Sequence, residues 1–188
     1  MEAFIMSLAT ISVAEIGDRT QLLSLLLVAR YRRPFPIILG IFCATLANHA
    51  LAGLVGVWFG RLLHPRVLEF TVGFSMLAMA LWTLKPDKLD ANAAPSSAAG
   101  AFAATLTSFF LAEIGDKTQI ATLALAAAYP NLLAVVSGTT LGMLAANVPV
   151  VLLGNAFAAR LPLRMIHYGA AALFTALGSL FVARALWR

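Results

Sequence analysis

The chain has 188 residues, of which 61% are hydrophobic and 11% are charged, and its mean hydropathy is +0.90. Because a soluble domain usually contains about 25% charged residues, this composition excludes an ordinary water-soluble protein and predicts an all-α integral membrane protein. The net charge is +5, but the basic residues lie mainly in short segments between apolar runs. This placement favours contact with lipid headgroups and predicts no nucleic-acid partner.

Six apolar runs predict six transmembrane helices, since a helix needs roughly 20 residues to cross about 30 Å of hydrocarbon. The runs cover residues 3–29, 35–60, 67–84, 101–128, 131–159 and 163–183. The first run lacks the basic start and the cleavage site of a removable signal, so we interpret it as a membrane helix. Several runs exceed the minimum length, which predicts tilted or interrupted helices.

A hydrophilic segment at 85–100 is rich in Pro, Ser, Ala and Gly, which is typical of a flexible linker. It separates two halves of three predicted helices each, residues 1–84 and 101–188. Because three is an odd number, the second half must enter the membrane from the opposite side. The sequence therefore predicts two inverted three-helix repeats, an architecture common in secondary transporters.

The repeat is clearest in one short motif. "AEIGDRTQ" at 14–21 recurs as "AEIGDKTQ" at 112–119, and only Arg19 against Lys117 differs. The same offset of 98 positions also aligns residues before and after the motif: Thr10 with Ser108, Ser24 with Thr122, Leu25 with Leu123, Gly40 with Gly138 and Gly56 with Gly154. The repeat thus extends over the first two predicted helices of each half.

The distribution of basic residues predicts the orientation in the membrane. Loops 1, 3 and 5 contain seven of them: Arg30, Arg32, Arg33, Lys85, Lys88, Arg160 and Arg164. The other side has four: Arg61, Arg66, Arg184 and Arg188. The positive-inside rule therefore predicts that loops 1, 3 and 5 are cytoplasmic and that both termini lie outside.

The motif places charges close to the centre of the bilayer, roughly 18 Å along the first helix. A charge there costs about 2.5–3.5 kcal/mol, so we expect these side chains to face protein, water or an ion. Glu15 and Asp18 are three positions apart, which would place them on one helix face, and Arg19 is spaced to pair with Glu15. Glu113, Asp116 and Lys117 repeat that pattern. Gly17 and Gly115 allow either close helix packing or a local helix break.

If the two motifs meet, four carboxylates and two bases sum to a charge of −2, which a divalent cation would neutralise. Further oxygen donors are the side chains of Thr20, Thr118, Gln21, Gln119, Asn48 and Asn147. This oxygen set suits Ca²⁺, Mn²⁺ or Mg²⁺. Because a buried carboxyl group can hold either a proton or a metal ion, the motif favours a metal:proton antiporter with alternating access.

Two alternatives use the same features. An exporter of small organic solutes such as amino acids would bind a zwitterion with the acids and the bases, and a non-transporting scaffold would use them as structural pairs. The sequence has no zinc-protease motif or nucleotide-binding loop, so we predict that the protein is not an enzyme and uses an ion gradient. We expect no cofactor, and the composition is compatible with a homo-oligomer.

The paired motif resembles the Glu-x-Gly-Asp-[Lys/Arg]-[Thr/Ser] signature of the manganese/calcium:proton exchanger family, which includes the Golgi manganese transporter. The signature is present as "EIGDRT" at 15–20 and "EIGDKT" at 113–118, and the resemblance covers nearly the whole chain. It implies that the transported cation, Mn²⁺ or Ca²⁺, binds to the four acids: Glu15, Asp18, Glu113 and Asp116. The short chain resembles the bacterial branch, which implies export of Mn²⁺ across the inner membrane.

Overall fold

A computed structural model describes residues 1–85, 100–154 and 163–187. These residues form helices and no strands, as the all-α prediction requires. The eight helices of the described residues are α1 (Glu2–Glu15), α2 (Arg19–Tyr31), α3 (Pro34–Leu62), α4 (Pro65–Thr83), α5 (Ala101–Glu113), α6 (Lys117–Ala128), α7 (Leu132–Leu153) and α8 (Leu163–Trp187). The predicted linker lies outside the described residues except at its two ends.

Four of the predicted spans correspond to single helices, namely α3, α4, α7 and α8. Within the described ranges, three stretches are long and apolar enough to cross a membrane: Pro34–Leu62, Leu132–Leu153 and Arg164–Trp187. The last residues of the predicted 131–159 span, from 155 onward, lie outside the described residues. Proline begins α3 and α4, where its fixed φ fits the first turn and its missing N–H costs nothing.

The other two spans, 3–29 and 101–128, are each divided into two helices by a break inside the motif. Ile16 and Ile114 have extended backbones, and the glycines after them have left-handed φ values of 86° at Gly17 and 74° at Gly115. Glycine adopts this conformation without the steric penalty of other residues. Each half-helix has 14 residues or fewer, so at 1.5 Å per residue none crosses 30 Å by itself.

Each long helix of one half packs against a half-helix of the other half. The contacts are close because α3 and α7 have glycine at equivalent positions. A Cβ atom added at Gly40 would lie 2.7 Å from Cβ of Thr105 in α5, and one at Gly138 would lie 2.6 Å from the backbone oxygen of Phe4 in α1. Contacts of this kind hold the two broken segments against the helices of the opposite half.

Helices α4 and α8 pack against each other through a second glycine pair. A Cβ atom at Gly178 would lie 2.8 Å from the backbone oxygen of Gly73, and one at Gly73 would lie 3.0 Å from that of Gly178. Their sequences also match: Gly73, Ala78, Ala80, Leu81 and Trp82 align with Gly178, Ala183, Ala185, Leu186 and Trp187. This alignment has an offset of 105 (178 − 73), so a search at the motif's offset of 98 does not find it.

Candidate cation-binding site

The helix breaks place all four acids of the motifs at helix ends. Glu15 and Glu113 are the last residues of α1 and α5, whereas Asp18 and Asp116 are the residues that cap the starts of α2 and α6. All four are buried, with at most 2% of their surface exposed. The expectation that Glu15 and Asp18 share one helix face was therefore wrong, because the positive φ of Gly17 ends the first helix between them.

Three of the acids come together across the two halves. Glu15, Glu113 and Asp116 each offer a carboxylate oxygen, and these three oxygens lie within 4.8 Å of one another. Oxygen ligands of Ca²⁺ lie 2.3–2.6 Å from the ion, so two ligands on opposite sides of it are roughly 5 Å apart. The spacing is thus compatible with one shared divalent cation.

The two glutamates have equivalent surroundings. Glu15 Oε2 accepts a hydrogen bond from Thr20 Oγ1 at 2.6 Å, and Glu113 Oε2 accepts one from Thr118 Oγ1 at 3.0 Å. Oε1 of each glutamate is buried and has no hydrogen-bond partner among the described residues. Leaving a buried oxygen unsatisfied costs about 1–3 kcal/mol, so this arrangement favours the binding of a proton or a cation there.

The bases of the motifs form ion pairs between the halves. Arg19 Nη2 lies 2.9 Å from Asp116 Oδ1 and donates a second hydrogen bond to the backbone oxygen of Ala112 at 2.6 Å. Lys117 Nζ pairs with Asp18 Oδ1. Arg19 was predicted to pair with Glu15 of its own motif. That prediction assumed an unbroken helix, and the break instead directs Arg19 toward the other half.

Both glutamines stabilise the helix breaks. Gln21 Oε1 accepts from the backbone N–H of Gly17 at 3.0 Å, and Gln119 Oε1 accepts from that of Gly115 at 2.8 Å. Their amide nitrogens donate to the opposite half: Gln21 to the Ala146 backbone oxygen at 3.0 Å and Gln119 to Asn48 Oδ1 at 3.4 Å. Each amide oxygen thus accepts one hydrogen bond and keeps a second lone pair, which can accept a further donor or a ligand.

The two asparagines connect helices near the acids. Asn48 Nδ2 donates to the Phe110 backbone oxygen at 3.0 Å. Asn147 Oδ1 accepts from Ser24 Oγ at 2.8 Å, and its amide nitrogen donates to Met143 of the same helix. The bond from Ser24 to Asn147 was not predicted. The signal for it was the repeat itself, which aligns Ser24 with Thr122 and so marks a hydroxyl at the same place in both halves.

Comparison with known proteins identifies the family. Residues 3–91 and 101–187 match the family described as "Divalent cation/proton antiporter GDT1". The chain belongs to the GDT1 family. The resemblance found in the paired motifs is thereby confirmed, and the chain is a membrane protein of a family of cation transporters rather than of enzymes.

Two relatives of this GDT1 protein show how far the similarity extends. A Vibrio cholerae serotype O1 protein named "Putative manganese exporter" is 54% identical over 175 residues, which cover 93% of this chain and 87% of the relative. A GDT1-like protein of Synechocystis sp. is 31% identical over 182 residues, covering 86% of this chain and 87% of the relative. No solved structure matches the chain.

Proposed function

We propose that the protein exports divalent cations, principally Mn²⁺, across the bacterial inner membrane in exchange for protons. The observation that supports this most directly is the cluster of Glu15, Glu113 and Asp116, in which two buried glutamate oxygens have no partner among the described residues. Buried oxygens of this kind can accept a metal ion or protons, but each site can hold only one of them at a time. Competition at one site couples the two flows in opposite directions when the site changes sides only with an ion bound.

The charges of the site fit a divalent cargo. Four carboxylates and two bases give −2 when all are ionised, and a single divalent ion would balance that charge. The alternative of an organic zwitterion needs a base that can receive the cargo's carboxylate. Here Arg19 and Lys117 are both in ion pairs with aspartates, which favours a metal ion over an amino acid.

The preference for Mn²⁺ over Ca²⁺ is supported by similarity rather than by the ligand set. Oxygen donors accept Mn²⁺, Ca²⁺ and Mg²⁺. The family description specifies a divalent cation and a proton, and the 54% identical relative is named for manganese export. We therefore propose Mn²⁺ as the principal cargo and Ca²⁺ as a second one.

The mechanism that we propose is alternating access between two inverted repeats of three membrane spans each. In this arrangement α1 and α2 together form the first span, and α5 and α6 form the fourth. Broken helices whose ends meet at the middle of the membrane are the usual substrate sites of such transporters. Loops 1, 3 and 5 would lie in the cytoplasm and both termini outside, as the basic residues favour.

Flux measurements in proteoliposomes test the proposal. We expect uptake of Mn²⁺ that accelerates when an imposed proton gradient runs in the opposite direction, with weaker uptake of Ca²⁺ and little of Mg²⁺. Asp116→Asn removes one charge of the cluster and should reduce Mn²⁺ flux at least about 100-fold, since even partners of metal ligands contribute 10–100-fold.

A control substitution is available at an acid outside the cluster. Glu2 is an exposed acid at the start of α1, outside the cluster, so Glu2→Gln should leave the flux unchanged. Unaltered Mn²⁺ flux in Asp116→Asn would remove the assignment of the site. Mn²⁺ flux that ignores the proton gradient would remove the coupling, and flux of amino acids instead of metal would favour the organic-solute alternative.

A further inference from the structure

His49 is a buried polar residue that the proposed site does not use. It lies in α3 with none of its surface exposed, and neither ring nitrogen has a hydrogen-bond partner among the described residues. A neutral imidazole has one donor and one acceptor nitrogen, and burying both without partners is costly. His49 is therefore available to form a hydrogen bond that is absent from the described residues.

The repeat identifies the position that corresponds to His49 in the other half. At the offset of 98, His49 aligns with Asn147 and Ser24 aligns with Thr122. Each of the two equivalent pairs, Ser24 with Asn147 and Thr122 with His49, has one residue in each half. The first pair is bonded, because Ser24 Oγ donates to Asn147 Oδ1 at 2.8 Å. In the second pair Thr122 Oγ1 instead donates to the backbone oxygen of Thr118 in its own helix, also at 2.8 Å. One of the two equivalent pairs is therefore hydrogen-bonded, and the other is not.

Helices α3 and α6 contact each other on both sides of His49 and of Thr122. Before His49, Asn48 Oδ1 accepts a hydrogen bond from Gln119 Nε2 of α6 at 3.4 Å. After it, Gly56 lies against the backbone of Leu123. His49 thus lies along the part of α3 that contacts α6 on either side of Thr122.

The last helices of the two halves, α4 and α8, also have different packing partners. Helix α4 packs against α6, whereas α8, its counterpart in the second half, packs against α1. In a transporter built from inverted repeats, one repeat rocks against the other around the site. Because the repeats are equivalent, we expect each to adopt the contacts of the other when the site opens to the opposite side. The differences between the halves therefore show which contacts such an exchange would break and which it would form.

We propose that His49 and Thr122 form a hydrogen bond when the site opens to the opposite side of the membrane, and that the Ser24–Asn147 bond then breaks. In that step the Thr122 hydroxyl turns from Thr118 to a ring nitrogen of His49. Ser24 turns in exchange to its own helix. His49 is then a positioning residue that stabilises one of the two states. The inference rests on the proposed function, because it requires two alternating states.

Distances between α4 and α6 would report the populations of the two states. Thr71 and Ala127 line an apolar cavity of about 230 Å³ between these helices. Spin labels on Thr71→Cys and Ala127→Cys, in a Cys43→Ser background and without Mn²⁺, should give a short distance in the described state. They should give a longer one in the opposite state, because the exchange moves α4 away from α6.

Breaking each hydrogen bond should shift these populations in opposite directions. His49→Leu and Thr122→Val remove the proposed bond, so each should raise the ratio of short to long distances about fivefold, the effect of one buried hydrogen bond. The double variant should shift it no further than either single variant. Ser24→Ala should lower the same ratio.

The chain itself provides two conservative controls. His49→Asn copies Asn147 and Thr122→Ser copies Ser24, so both keep the hydrogen-bonding groups and should retain the wild-type distances. An unchanged distribution in both His49→Leu and Thr122→Val would overturn the inference. A shift in the same direction as that of Ser24→Ala would also overturn it.

Measuring Mn²⁺ flux on the same preparations separates this inference from the proposed function. The distances are recorded without Mn²⁺ and do not depend on transport of that ion. Absent Mn²⁺ flux in the wild-type protein would reject the proposed cargo. The opposite shifts of the two pairs, if observed, would still support the exchange of hydrogen bonds.

Discussion

The two copies of the motif have the same backbone but different surroundings. Both have an extended isoleucine, a left-handed glycine and an aspartate at the start of the next helix. Lys117, however, has only 2% of its side chain exposed, whereas Arg19 has 35% exposed. The two motifs therefore share one backbone conformation but differ in the burial of their ion pairs. The pair of Lys117 with Asp18 is fully buried, whereas Arg19 of the other pair is partly exposed.

This difference suggests why the motif tolerates two different bases. Arg19 contacts both Asp116 and the Ala112 backbone oxygen because its planar group has several donors. Lys117 fits a closed space against Asp18, where one compact charge is sufficient. Three predictions test how far the equivalence of the two motifs extends, from the largest expected effect to the smallest.

The glutamates should be equally important. Glu15→Gln and Glu113→Gln each remove a charged oxygen from the same cluster, so both should reduce Mn²⁺ flux by at least about 100-fold. Their losses should agree within about threefold, because each glutamate has one threonine partner and one oxygen without a partner in the described structure. Flux in proteoliposomes measures this, and a strong loss in one variant alone would show that the two halves divide the binding of the ion unequally.

The bases should differ in stability. Lys117→Met leaves the buried carboxylate of Asp18 without this ion pair, which should lower the free energy of unfolding by about 3–5 kcal/mol. Arg19→Met should lower it by less, about 1–3 kcal/mol, because Arg19 is the less buried base and Asp116 keeps hydrogen bonds from the hydroxyl and the backbone N–H of Thr118. Denaturation in detergent micelles compares the two variants. Equal losses would contradict the difference in burial between the pairs.

The glycines should show a smaller and equal effect. Gly17→Ala and Gly115→Ala force a side chain into a left-handed backbone, which should lower the free energy of unfolding by about 1–2 kcal/mol each. No atom lies within 4 Å of a Cβ placed at Gly115, so the cost there is backbone strain alone. Gly100→Ala is the control, since that position has equal space and a φ of −62°. A loss in the control as large as that in Gly115→Ala would exclude the strain argument.

The residues of the candidate site could be proposed from the sequence because the motif is repeated at a constant offset. The eight-residue match between 14–21 and 112–119 identified the four acids, the two bases and the polar residues beside them. The bonds that these residues form could not be predicted in the same way. The spacing of Glu15 and Arg19 indicates an ion pair only if the helix continues, and a glycine alone does not show whether it breaks a helix or packs closely against a neighbour.

The equivalence of α4 and α8 could not be predicted from the sequence for a different reason. Gly73 and Gly178 contact each other, but their offset of 105 differs from that of the motif by seven positions, and the matching residues are small or apolar. Such residues are common throughout a membrane protein, so the match has little weight until the contact is known. The structure supplied the contact, and the alignment of α4 with α8 followed from it.

By itself, the sequence determined that the chain is helical, that it is apolar enough for a membrane and that two acidic motifs recur in its halves. Composition and periodicity are local properties, so they need no knowledge of neighbouring helices. Only the tertiary structure decided which acid pairs with which base, which carboxylate oxygens meet, and that His49 has no hydrogen-bond partner among the described residues, whereas Asn147 has one. Those facts depend on where two glycine breaks direct the chain, and residues about 98 positions apart become neighbours only after the halves pack together.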